Sequence, residues 1–221
     1  VTEPMIKSKV LPTYLVVDTS SSMKPQEQLL NDTVDHVFDV LGNSPRVSEF
    51  AHISIVTFNT DAHVVLAMAD IDQVSQLPMI SCGGGTNYGR MFQVVKQRID
   101  ADIDDLRNLG RAVLRPAVFI LTDGAPMDKN WAGDFDALTN KGFRRRPHII
   151  SYGFGNANAA VLGKIATKAA YLATEVDNEK EAIVSMLTSL LNTLVTSANS
   201  QELRIPEQVD GYTRVPIEYV D

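Results

Sequence analysis

Five oxygen-bearing side chains stand at spacings that chemistry can use. Asp18, Ser20 and Ser22 alternate in the run Asp18-Thr19-Ser20-Ser21-Ser22, Thr86 follows Gly83-Gly84-Gly85, and Asp123 precedes Gly124. Carboxylate and hydroxyl oxygens are what a hard divalent cation prefers, and Mg²⁺ takes six of them at about 2.0 to 2.1 Å while usually keeping some waters. Five side chains crowd such a shell. The expectation is that Ser20, Ser22 and Thr86 place hydroxyls on or near the ion, with Asp18 and Asp123 binding directly or through water. Because the hydroxyls are neutral, the ion keeps much of its charge and an open position for an incoming carboxylate. That is a docking site rather than a closed structural one.

These residues can meet only if the elements that precede them end at one place. Residues 14–17 form an apolar run of strand length that stops at Asp18, which reads as a buried parallel strand opening into a polar loop. Leu29, Leu30, Val34, Val37, Phe38 and Leu41 then recur at helical spacing, with Gly42 placed as a C-terminal cap. Strands are predicted over 53–58 and 63–68, joined by a hairpin through Asn59, Thr60, Asp61 and Ala62. After the glycine run, Met91, Val94, Val95, Arg98 and Ile99 mark a helix face. Residues 117–122, 149–152 and 171–173 read as further strands, and 131–138, 157–166 and 179–198 as helices. The last helix has Ile183, Met186, Leu187, Leu190, Leu191 and Leu194 as its buried stripe. This alternation specifies an α/β fold: an open, mostly parallel, doubly wound sheet with one antiparallel edge strand and helices on both faces. In such a sheet ligands bind beyond the carboxyl ends of the strands, where Asp18, Thr86 and Asp123 fall. The organisation reads as an N-terminal extension over 1–10, one domain over 11–199, and a C-terminal tail over 200–221 with two prolines and no clear period.

Composition narrows the function classes. The 221 residues are 44% hydrophobic and 21% charged, an ordinary globular mixture, and 20 Lys plus Arg against 27 Asp plus Glu give a net charge of −7. That charge disfavours nucleic acid and anionic lipid as partners. No run of about 18 apolar residues marks a membrane span, and residues 1–12 lack the apolar core of a signal peptide, so the chain reads as soluble and cytoplasmic. Cys82 is the single cysteine, which leaves no intrachain disulfide and no cysteine-based zinc cluster.

Taken in this order on this alternating pattern, Asp18-Thr19-Ser20-Ser21-Ser22, Gly84-Gly85-Thr86 and Thr122-Asp123-Gly124 resemble the metal-ion-dependent adhesion site of von Willebrand factor A domains. The similarity covers residues 11–199. Leu11-Pro12-Thr13-Tyr14 and Gly83-Gly84-Gly85-Thr86-Asn87-Tyr88-Gly89 look most like the stand-alone bacterial members associated with tellurium resistance. The resemblance implies a six-stranded Rossmann-like sheet and a divalent cation, Mg²⁺ with Mn²⁺ or Ca²⁺ as substitutes. It also implies a protein partner whose Asp or Glu completes the coordination, in a stress-response setting with a protein kinase or phosphatase as partner; the chain by itself is expected to be a monomer. Family members often carry Gly where Ser21 stands, which leaves the local loop geometry as the open question.

Competing readings of the same residues are weaker. Asp18 to Ser22 are also helix-capping residue types. The phosphate loop ending in Gly-Lys-Ser/Thr and the three-glycine dinucleotide fingerprint are missing. A metal-dependent hydrolase or phosphotransferase using the same ion is the alternative from another class, but an aspartyl phosphotransferase usually has a second Asp where Ser20 stands. An esterase elbow around Ser20 is lacking. His36, His52, His63 and His148 show no paired ligand spacing, and Cys82 suits packing better than reactivity. Asp100, Asp102, Asp104 and Asp105 and the run Arg144-Arg145-Arg146 are expected at the opposite pole as a solvated, mutually screened surface, or as a second contact site for an acidic partner.

Overall fold

The computed structural model describes residues 8–174 and 178–221. β1 (Lys9–Asp18) is buried along almost its whole length because it has parallel neighbours on both sides and helices over both faces. A 3₁₀ turn (Ser21–Gln26) leads into α1 (Glu27–Gly42). Gly42 ends this helix but is not a left-handed cap; Asn43 follows, its N–H bonded to the Asp39 carbonyl. α2 (Pro45–Phe50) feeds β2 (Ala51–Phe58), which turns back into β3 (Ala62–Asp70) as the predicted hairpin. Then come α3 (Tyr88–Asn108), β4 (Ala112–Val113), β5 (Ala117–Thr122) and α4 (Trp131–Thr139). β6 (His148–Gly153), α5 (Ala159–Lys164), β7 (Ala169–Ala173), α6 (Glu179–Ser200) and β8 (Tyr212–Val215) complete the chain.

The strand order is β3-β2-β1-β5-β6-β7-β8, with β4 beside the start of β1. Among the described residues the sheet is therefore eight-stranded rather than six-stranded, and it has two antiparallel edges, β3 on β2 and β8 on β7, rather than one. The second edge comes from residues beyond 200. Four residues with one buried side chain, Tyr212, are too short to show a period, which is why that segment read as a featureless tail.

The chain winds outward from β1 through β2 to β3, and α3 then carries it back so that β5 lies on the other side of β1. The crevice beyond the carboxyl ends of β1 and β5 is thus the point where the winding reverses, the place where doubly wound sheets bind ligands. One face is covered by α1, α2 and α6 through Leu30, Val34, Phe50, Ile183, Met186 and Leu190. The other is covered by α3, α4 and α5 through Met91, Phe92, Val95, Leu138 and Leu162. α6 has the length and mean hydropathy, 1.2, of a membrane span, but its apolar stripe is the one buried on the sheet, which accounts for the composition.

The charge runs sit at the far end of α3, as expected, though not uniformly in solvent. Arg145 pairs with Asp100 and Asp104, and Arg146 joins Arg115 on the Asp221 carboxylate. Asp102 departs from the expectation: it is buried, accepts a hydrogen bond from Tyr14 Oη at 2.9 Å and pairs with Arg98.

Candidate metal centre

Asp18 ends β1 and is fully buried. Thr19 prolongs the β1–β2 pairing by one bond, its N–H donating to the Phe58 carbonyl at 2.8 Å, so the chain leaves the sheet only at Ser20. Both Asp18 oxygens are engaged: Oδ1 accepts from the Ser20 N–H at 2.9 Å and Oδ2 from Thr122 Oγ1 at 2.7 Å. Ser20 Oγ lies 3.1 Å from Ser22 Oγ, and Ser22 Oγ donates to Asp123 Oδ1 at 2.9 Å. A continuous polar chain therefore runs from β1 to β5. Ser20 makes no side-chain cap bond to the 3₁₀ turn it precedes, so the cluster is not a helix cap.

Thr86 closes the cluster from the third loop. It is buried, and its Oγ1 lies 3.9 Å from the point that a Cβ on Gly124 would occupy. Its carbonyl accepts from the Met127 N–H at 2.9 Å. The glycine run is held by its neighbours: Cys82 N–H donates to Glu27 Oε2 at 2.6 Å, Gly83 N–H to the Thr19 carbonyl at 2.8 Å, and Gly85 N–H to Thr60 Oγ1 at 2.9 Å. Gly84 has φ +84°, and a Cβ there would stand 2.8 Å from Thr60 Oγ1, so any side chain at this position strains the loop. Ser21, where glycine is common in the resembled pattern, uses its hydroxyl to donate to the Gly84 carbonyl at 3.0 Å and ties the first loop to the second. The Cys82 thiol is buried and pushed up to about 11, by burial first and then by the Glu27 charge, which suits packing and not reactivity.

All five predicted site residues thus converge on the crevice between β1 and β5. The electrostatics fit a cation. Burial raises Asp18 above the usual carboxylate range, against the bonds from Thr122 and Ser20 that lower it. Asp123, 5% exposed, is pushed up to about 6, by burial first, with the charges of Asp18 and Glu179 adding to it and the Ser22 bond opposing. The hydrogen-bond partners of both carboxylates among the described residues are neutral, so two buried acids face each other across hydroxyls with no cation of these residues bonded to either. No group of three or more His, Cys, Asp or Glu side chains forms a metal cage among the described residues. The donor set is two carboxylates plus hydroxyls, the set a hard divalent ion takes with water filling the rest.

Two supports escaped the sequence reading. Thr122 was visible only as the residue before Asp123; in place it orients Asp18, and it is itself met by Tyr88 Oη at 3.1 Å. Asp128 accepts from the N–H groups of Tyr88 and Gly89, each at 2.9 Å, and so fixes the start of α3 directly after Thr86. A lone Asp six residues past a strand gives no signal for such a role, because capping the first turn of a helix from another loop leaves no local spacing.

The model of the von Willebrand factor type A domain matches residues 14–190. The chain belongs to the von Willebrand factor type A domain family. Domains of this family are often metal-dependent protein-interaction modules. No curated protein matches the chain. Among solved structures, the VWA2 paralog of ArnB from Sulfolobus acidocaldarius is similar at 19% identity and a TM-score of 0.58, over 83% of this chain and 46% of its own. A von Willebrand factor type A protein from Catenulispora acidiphila gives 17% and 0.58, over 83% and 43%. Proximal thread matrix protein 1 from the mussel byssus, with a zinc-occupied metal-ion-dependent adhesion site, gives 19% and 0.53, over 83% and 46%. This von Willebrand factor type A chain thus spans less than half the length of these neighbours, and at such identities the likeness is one of fold.

Proposed function

We propose that this chain docks protein partners through a divalent cation, Mg²⁺ with Mn²⁺ or Ca²⁺ as substitutes, held by Asp18, Ser20, Ser22, Thr86 and Asp123. The observation that carries the reading is the pair of buried carboxylates joined through Ser22 and Ser20 and facing Thr86, with only neutral hydrogen-bond partners among the described residues. When bound, the cation supplies positive charge and a coordination position for an Asp or Glu of the partner. The protein's part is to hold the oxygens in place: Thr122 and the Ser20 N–H fix Asp18, Ser22 fixes Asp123, and Met127 and Asp128 fix the Thr86 loop.

The module is read as non-catalytic. Asp18 spends both oxygens on fixed donors, which argues against an attacking carboxylate. Its place among the tellurium-resistance-associated members, with a protein kinase or phosphatase as partner, rests on the resemblance of the stretches at 11–14 and 83–89, and its place in the cytoplasm on the single cysteine. Calorimetric titration of metal-stripped protein with Mg²⁺ and Mn²⁺, beside Asp18→Ala, tests the reading. Saturable binding lost in the variant, capture of a partner that chelator releases, and no turnover of an aryl phosphate with Mg²⁺ are expected. A wild type that binds neither ion refutes it, and metal-dependent aryl phosphate hydrolysis replaces it with the phosphotransferase alternative.

A further inference from the structure

The first turn of α6 brings another carboxylate to the rim of the cation centre. Glu179 opens this helix and is half-buried. Its Oε2 accepts from Gln26 Nε2 at 2.8 Å. Gln26 ends the 3₁₀ turn that starts beside Ser20 and Ser22; it is buried, and its own Oε1 is a buried acceptor without a partner among the described residues. The amide thus holds Glu179 from a segment continuous with the predicted ligands and leaves an acceptor open to a donor such as water.

Gly155 shows where the held carboxylate lies. A Cβ on Gly155 would stand 3.3 Å from Glu179 Oε1 and 3.7 Å from Asp123 Cβ. Glu179 and Asp123 therefore flank one point and lie within about 7 Å of each other, a range over which charges in a partly buried setting still act strongly. With φ at +58° and Glu179 Oε1 tight against it, position 155 strains any residue with a side chain, and glycine there keeps the gap between the two acids open.

We propose that Glu179 is an outer carboxylate of the cation centre, fixed by Gln26 beside Asp123, and that it strengthens divalent cation binding by its charge and through water held on the ion. This rests on the docking reading above and adds to it a residue from α6. The hold by Gln26 is what distinguishes Glu179 from an ordinary surface acid: a side chain free in solvent is screened by water and salt, whereas a fixed, half-buried one is screened much less. Without a cation, three carboxylates repel an acidic partner; with one, the same three favour the bridge. Glu179 thus sharpens the dependence of docking on the cation.

The test is calorimetric titration of the metal-stripped full chain with Mn²⁺, using wild type, Glu179→Gln, Glu181→Gln, Gln26→Leu and Asp18→Ala. Glu181 is exposed in the same helical turn and controls for the loss of one charge. Glu179→Gln is expected to weaken Mn²⁺ binding roughly fivefold to tenfold, from Coulomb's law at this distance with salt screening. Glu181→Gln is expected to stay within twofold. Gln26→Leu, which keeps the charge but releases the side chain, should fall between them, with unchanged melting in chelator showing that the fold is intact. Glu179→Gln within twofold of wild type, while Asp18→Ala loses binding, overturns this inference and leaves the docking reading standing. Equal losses in Glu179→Gln and Glu181→Gln overturn it too, because the effect is then diffuse charge. A wild type that binds no Mn²⁺ overturns both.

Discussion

Replacing Asp123 with Asn should stabilise the protein when no cation is present and remove its response to cation. Folding raises the Asp123 carboxyl from an ordinary 3.8 to about 6, chiefly by burial. A shift of about two units, at about 1.4 kcal/mol each, is about 3 kcal/mol. The sign follows from linkage. An acid whose folded value is raised contributes stability fully below its unfolded value and loses it as pH rises through the folded one. At pH 7.5 in chelator the wild type therefore carries a penalty of about 3 kcal/mol that Asp123→Asn lacks, since the amide oxygen can still accept from Ser22. For a chain of this length the variant should melt about 6 to 10 °C higher. The gap should narrow as pH falls through 6 and close below 3.8. With Mn²⁺ at a hundred times its Kd the wild type gains about 2.7 kcal/mol and the variant little, so the two melting temperatures converge. Calorimetric melting at pH 7.5 and 4, with chelator and with Mn²⁺, reads all four states. A variant that melts below wild type in chelator at pH 7.5 refutes the reasoning, because the Asp123 charge is then already compensated within the fold.

Three further outcomes can be checked on the same samples. Thr122→Val removes the buried donor to Asp18 Oδ2 and should cost about 1 to 3 kcal/mol in denaturant melts while weakening Mn²⁺ binding, although Thr122 is not among the five predicted ligands. Gly84→Ala, at φ +84° and 2.8 Å from Thr60 Oγ1, should destabilise by about 1 to 3 kcal/mol and lower cation affinity by displacing the Thr86 loop; a neutral result refutes the strained turn. His148 is held down at about 4, by burial first and then by Arg115 and Lys168, so it favours the fold above 6.5 and loses that contribution as pH falls toward 4. His148→Phe should flatten that part of the stability profile, worth up to about 3 kcal/mol, as followed by urea melts from pH 7 to 4.

The parts of the fold that were legible in the sequence are those whose apolar pattern is decided locally. β1, β2 and β5 are buried on both faces and read as apolar runs, and α3 and α6 carry long one-sided stripes. β4 and β8 were not legible: two and four residues hold no period, and their place is set by partners far along the chain. The ligand candidates at the centre were legible because each follows a strand or a glycine run. Their supports were not. Thr122, Asp128 and Glu179 act through partners that the sequence does not mark, and the burial of Asp102 inside a run of acids depends on Tyr14 reaching it from β1.

The polar chain across the crevice closes very long loops. Thr122 reaches Asp18 over 104 positions, and Ser22 reaches Asp123 over 101. The direct pairing of β1 with β5 already brings the ends of these loops together, so the loop-closure cost is met by the sheet and not by the centre alone. A cation that binds only the assembled centre stabilises the folded chain by mass action. If the centre is still open at the folding barrier, that gain is expected as slower unfolding with an unchanged folding rate, so that the loaded module persists longer without being reached any sooner; folding and unfolding rates with Mn²⁺ and with chelator check this.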